Sequence, residues 1–128
     1  MPNKPLTLVV EDTPSMARLY AEYLRAAQCE VAIVDTGAAA RAFLAGRIPD
    51  AMVLDLRLPD ENGLDLLQHM KGLDLPTEIV VVTAHGSLNI AVDAMRAGAF
   101  DFIVKPFSAE RLNITVRNAL ERRKLRET

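Results

Sequence analysis

Short runs of consecutive apolar residues recur along this chain, separated by longer stretches in which apolar positions return every three or four residues. The runs "LTLVV", "EVAIV", "AMVLDL", "EIVVV" and "DFIVK" are bounded by acidic, Pro, Gly or Thr residues, which predicts five β-strands. The intervening stretches carry Met16, Leu19, Tyr20, Tyr23 and Leu24, then Ala39, Phe43 and Leu44, then Leu64, Leu67 and Met70, then Leu88, Ala91, Val92 and Met95. That spacing predicts amphipathic helices, and Leu112, Val116, Ala119 and Leu120 mark a fifth. Punctuation agrees: Thr13-Pro14 suits a helix start, Gly98 a helix end, and Ser108 a cap before "AERL". Runs that are apolar on both faces belong to a parallel sheet covered by helices on both sides. The expected fold is therefore α/β, a doubly wound, flavodoxin-like (βα)5 unit with strand order 2-1-3-4-5. Ligands of such a sheet bind at the carboxyl edge, where the order reverses between the first and third strands.

Composition narrows the class without changing this picture. At 128 residues the chain fits one domain, and with 50% apolar and 25% charged residues it reads as an ordinary soluble protein. No apolar run approaches the ~20 residues of a membrane span. Cys29 is the only cysteine, so no internal disulfide forms; it reads as a small buried hydrophobe. The N-terminus shows no signal-peptide pattern, and a reducing cytoplasm is expected. A net charge of -2 argues against a nucleic-acid footprint over the whole domain. Residues 109 to 128 hold six Arg or Lys against three Glu, and the expected reading of "LERRKLRET" is a solvated helix end whose cations suit the helix dipole.

The chemistry gathers at the ends of the strands. In "VLDLRLPDENG" Asp55 closes an apolar run, where burial strips an ionised carboxylate of water unless something pairs with it. It either caps a turn or does chemistry. The first strand ends in "VVED", so Glu11 and Asp12 are expected to meet Asp55 at the switch point. Three carboxylates so close repel one another unless a hard cation sits among them, and Mg2+ takes such oxygen ligands. The fourth strand ends in "VVVTAHG" and the fifth in "FIVKPF", adding the hydroxyl of Thr83 and the ammonium of Lys105. A nucleophilic carboxylate surrounded by cations is what phosphoryl transfer requires.

These motifs resemble the receiver domains of two-component response regulators over essentially the whole chain. The resemblance rests on "VVED", "DLRLPDENG", "TAHG" and "GAFDFIVKPF". It implies that Asp55 is the phospho-acceptor, that Glu11, Asp12 and Asp55 ligate Mg2+ through their side chains, and that Arg57 does so through its carbonyl. It also implies that Thr83, the amide of Ala84 and Lys105 hold the phosphoryl oxygens, and that Phe102 is the aromatic switch position. The proline after Lys105 is cis in that family. The wording "RLPDENGLDLL" and "TAHGSLNIAVDAMRAGAFDFIVKPF" is similar to receivers of sigma-54-dependent activators of the nitrogen-regulation and quorum-sensing classes. Two departures stand out: Glu-Asp where Asp-Asp is commoner, and Phe at 102 where many members have Tyr.

The implied partners are a histidine kinase or phosphotransfer protein and, in a longer chain, AAA+ and DNA-binding output domains. A phosphorylation-dependent dimer is a further expectation, with no membrane and no direct nucleic-acid contact. The chain reads as one receiver domain, residues 1–128, in which residues from about 120 begin a linker. The helix ends in charge without a Gly or Pro stop, which favours a piece of a longer regulator over a standalone receiver. It is not expected to be an enzyme beyond its own phosphorylation and slow dephosphorylation. An aspartyl-phosphate hydrolase needs a second Asp two residues after its nucleophile, where Arg57 stands. A flavodoxin-like electron carrier needs a Gly- and hydroxyl-rich loop where "EDTPSM" puts two negative charges, and a degenerate receiver would lack groups that are all present here. Met16, Met52, Met70 and Met95 are expected to face the core. His69 is expected to do no chemistry, whereas His85 and Arg57 flank the expected approach of a hydrolytic water to Asp55.

Overall fold

The computed structural model describes residues 4–84 and 86–126. Strand and helix alternate through β1 (Leu6–Val10), α1 (Pro14–Ala26), β2 (Glu30–Val34), α2 (Gly37–Gly46), β3 (Ala51–Asp55), α3 (Gly63–Gly72), β4 (Glu78–Thr83), α4 (Leu88–Arg96), β5 (Asp101–Val104) and α5 (Ala109–Leu125). The strands form one parallel sheet in the order β2-β1-β3-β4-β5, as expected. Side-chain alternation sends Leu8, Val10, Met52, Leu54, Ile79 and Val81 into a core with α2, α3 and α4. Val9, Val53, Val80, Val82 and Ile103 point the other way, against α1 and α5.

Local chemistry starts most of the helices. The side chains of Thr36, Asn62, Ser87 and Ser108 each accept a backbone N–H in the first turn of α2, α3, α4 and α5. At α1, Thr13 makes no such bond and Pro14 supplies the start instead. Gly98 ends α4 at a φ of 103°, a conformation that costs glycine least.

Two expectations need correction. Met95 does not face the core: it is 47% exposed, Leu88 is 77% exposed, and Ala94 is the buried residue of α4. The reason is position, because α4 covers the edge of the sheet at the four-residue strand β5, which is too short to bury a full helical stripe. Met52 and Met70 are buried as expected, as is Cys29.

The basic end of α5 is also more than a solvated helix terminus. Arg126 Nη1 lies 2.6 Å and Arg122 Nε 3.7 Å from the carboxylate of Glu78, which is 3% exposed at the start of β4. Arg123 Nε approaches Asp50 at 3.9 Å. These pairs tie the last turns of α5 to the amino edge of the sheet. Arg126→Ala should lower stability by about 1 kcal/mol, because Glu78 loses its shortest charged hydrogen bond but keeps Arg122. Urea unfolding measures this, and an unchanged midpoint would mean that the pair contributes nothing.

Candidate functional site

Register builds the site. Val10 of β1 is opposite Leu54 of β3, so Glu11 and Asp55 follow side by side at the carboxyl edge. Asp55 is opposite Val82, which puts Thr83 one residue further along β4. Thr83 is opposite Val104, so Lys105 is next on β5, and its N–H donates to the Thr83 carbonyl at 2.8 Å. The peptide bond between Lys105 and Pro106 is cis, as the resemblance implied.

Carboxylate oxygens of Glu11, Asp12 and Asp55 lie within 4.8 Å of one another, with Glu11 and Asp55 buried and Asp12 exposed. The ammonium of Lys105 bridges the two buried groups, donating to Glu11 Oε1 at 2.5 Å and to Asp55 Oδ2 at 2.7 Å. Asp55 Oδ1 accepts the N–H of Arg57 at 2.8 Å, and Glu11 Oε2 accepts that of Thr13 at 3.2 Å. Asp55 thus closes its own turn and faces the Lys105 ammonium.

Burial pushes the Glu11 carboxyl above its ordinary value; the hydrogen bond from Lys105 opposes the rise and the charge of Asp55 adds to it. Burial pulls the Lys105 ammonium down, but its hydrogen bonds to Asp55 and Glu11 more than offset this and leave it above its ordinary value. The cluster holds three carboxylates against one ammonium, an imbalance that a divalent cation would relieve. Three converging oxygen donors, with one carboxylate open to water, form a donor set that fits a hard ion keeping several waters. A cleft of about 350 Å³ lined by Glu11, Asp12 and Arg18 opens on two of the three.

The remaining expected residues fall around this centre. Thr83 is buried at the end of β4 and Ala84 is exposed just beyond it. Arg57 is exposed, and Phe102 is half-buried against the core on the α4 side. His69 lies exposed in α3, whereas His85 is outside the described residues.

Two features were not foreseen. Asp60 accepts the N–H groups of Gly37 and Ala38 at 2.8 and 2.9 Å, and Arg41 grips Glu61, so the loop after Asp55 is fastened to the start of α2. Those backbone hydrogen bonds hold the Asp60 carboxyl below its ordinary value. The acidic turn "DENG" was visible, but not the helix terminus that it reaches. The second is Tyr20, 2% exposed on α1, which stacks on Phe107 with ring centroids 5.0 Å apart and lies under the Lys105 ammonium at 5.9 Å. Helical spacing marked it only as a core position. Close approach also fixes Gly63, where a Cβ would come within 2.7 Å of the Asp55 carbonyl oxygen.

A parallel 2-1-3-4-5 sheet thus carries an acidic triad, a strand-end hydroxyl and a lysine at its carboxyl edge. Residues 7–117 match the response regulator receiver domain, and the chain belongs to that family. It is 47% identical over 114 residues to the regulatory protein LuxO of Vibrio vulnificus, covering 89% of this chain and 25% of that protein. The alginate biosynthesis transcriptional regulatory protein AlgB of Pseudomonas aeruginosa is 38% identical over 118 residues, covering 92% of this chain and 26% of its own. Among solved structures, the signal receiver domain of a LuxO repressor protein from Vibrio parahaemolyticus superposes with a TM-score of 0.94 at 40% identity, covering 97% of this chain and 95% of that one. NtrX from Brucella abortus gives 0.88 at 35% identity, covering 97% of this chain and 28% of its own. The chain spans about a quarter of the length of the full regulators it matches.

Proposed function

We propose that Asp55 accepts a phosphoryl group from a histidine kinase, a phosphotransfer protein or a small acyl phosphate, with Mg2+ held by Glu11, Asp12, Asp55 and the Arg57 carbonyl. The observation that carries this reading is the Lys105 ammonium held between Glu11 and Asp55 inside the carboxylate cluster. In the transfer an Asp55 carboxylate oxygen attacks phosphorus. The P–N or P–O bond to the donor breaks, and its electron pair leaves with the donor. Bound Mg2+ would supply positive charge beside the phosphoryl oxygens. Lys105 supplies a second cation, while the Thr83 hydroxyl and the Ala84 N–H hold the remaining oxygens.

The output is a population shift in which Thr83 is drawn toward the phosphoryl group and Phe102 repacks, altering the face formed by α4, β5 and α5. The exposure of Leu88, Met95 and Val104 supports an interaction role for that face, a phosphorylation-dependent dimer included. The share of each relative that the match covers supports a receiver within a longer regulator; in this reading that regulator is cytoplasmic, carries AAA+ and DNA-binding domains and acts on sigma-54-dependent transcription. No helix among the described residues is long and apolar enough to cross a membrane.

Mg2+ should raise the melting temperature of the wild type, because binding to the folded state relieves repulsion among the three carboxylates. Asp12→Ala, which removes an exposed ligand and so spares the core, should lose most of that shift. Equal Mg2+ shifts in the two proteins would reject this metal site.

A further inference from the structure

Tyr20 is buried to 2% exposure, yet its hydroxyl finds no hydrogen-bond partner in the protein. A buried hydroxyl left unpaired costs stability, and phenylalanine in the same place would avoid that cost. The surroundings explain what the hydroxyl is for. One side of the ring stacks on Phe107, two residues beyond Lys105, and the Lys105 ammonium lies 5.9 Å from its centroid. Burial pushes the Tyr20 hydroxyl above its ordinary pKa and the charges of Glu11 and Asp55 reinforce that rise, whereas the Lys105 ammonium opposes it by its charge and, to a smaller extent, as a nearby donor to the hydroxyl. The ammonium donates two of its three N–H bonds, to Glu11 and to Asp55.

We propose that Tyr20 is a positioning residue for phosphoryl transfer: its ring supports the Lys105 side chain, and its hydroxyl accepts an N–H of Lys105 when the ammonium leaves the carboxylates for the incoming phosphoryl group. Lys105 must exchange partners during the reaction, since the oxygens it now serves are the nucleophile and a metal ligand. A neutral acceptor beside it keeps the ammonium in place without competing with the phosphoryl oxygens for charge. The orphaned hydroxyl is therefore a stability cost carried for function.

The inference rests on Asp55 phosphorylation, and Tyr20→Phe tests it because the ring and its stacking survive. Acetyl phosphate labelling of the full chain with Mg2+ should be about 12-fold slower in Tyr20→Phe, the factor that one hydrogen bond to a charged group carries at the low end. In a Lys105→Ala background the same substitution should change nothing, since the group that it serves is gone. Melting without metal should give Tyr20→Phe a temperature equal to or above wild type, the reverse of what a structural role predicts. A Tyr20→Phe rate within twofold of wild type would overturn the proposal, as would equal slowing in both backgrounds or a lower melting temperature. A wild type that takes up no phosphate would instead reject the proposed function itself, whatever Tyr20 does.

Discussion

Asp55→Asn should take up no phosphoryl group from acetyl phosphate and Mg2+, whereas the wild type should gain one phosphoryl mass on intact-protein mass spectrometry. The substitution changes little in shape, so the argument is electronic. In the wild type one oxygen of Asp55 is fixed by the Arg57 N–H at 2.8 Å and the other faces Lys105 at 2.7 Å. An amide keeps an acceptor for Arg57 but offers the ammonium an N–H donor in place of an oxygen, and it has no anionic oxygen to attack phosphorus. Glu11 has both its oxygens engaged, by Lys105 and by Thr13, and Asp12 is exposed to water. Glu11 is held in the same way as Asp55, but only Asp55 ends a strand paired with β4, which brings the Thr83 hydroxyl to the same edge. Labelling of Asp55→Asn at the wild-type level would assign the nucleophile to one of these two instead.

Lys105→Ala should have two separable effects. The labelling rate should fall by about 10² to 10³, the range for removing one donor aimed at developing charge. Without metal at neutral pH the protein should also lose about 2–3 kcal/mol. That is less than the loss typical of a broken buried pair because Glu11 can take up a proton. Burial already holds the Glu11 carboxyl above its ordinary 4.5, and losing the Lys105 hydrogen bond raises it further. A carboxyl raised in the folded state contributes stability that is complete below the unfolded value and is lost as pH rises through the folded one. The deficit of Lys105→Ala should therefore shrink as pH falls from 7 toward 4.5. Mg2+ should raise its melting temperature by more than it raises that of the wild type, since the ion no longer competes with an ammonium for the same oxygens. Wild-type melting at pH 7 without metal would show that the bridge carries no net stability, and an unchanged labelling rate would remove Lys105 from the transfer.

Strands and helices were legible along the chain because each depends on residues near in sequence. A five-residue apolar run makes a parallel strand, buried in β1 and β3 and partly exposed in the edge strand β2, and strict alternation with helices leaves few ways to order five strands. Glu11, Asp55, Thr83 and Lys105 meet because each ends a strand and parallel register aligns those ends. Which side chains touch across the fold was decided by tertiary packing. Glu78 and Arg126 are 48 residues apart, and only the seating of α5 across the sheet turns a basic helix end into partners for a buried carboxylate. Asp60 could have capped its own helix; the crossing of its loop over α2 gave it Gly37 and Ala38 instead. Helical spacing marked Met95 and Tyr20 alike as apolar-face positions. Met95 is exposed because α4 covers a short edge strand, and Tyr20 lies under a lysine because α1 packs beside the loop after β5. Periodicity reports the face of an element, whereas the neighbour that the face meets is set by where the sheet ends and how each helix crosses it.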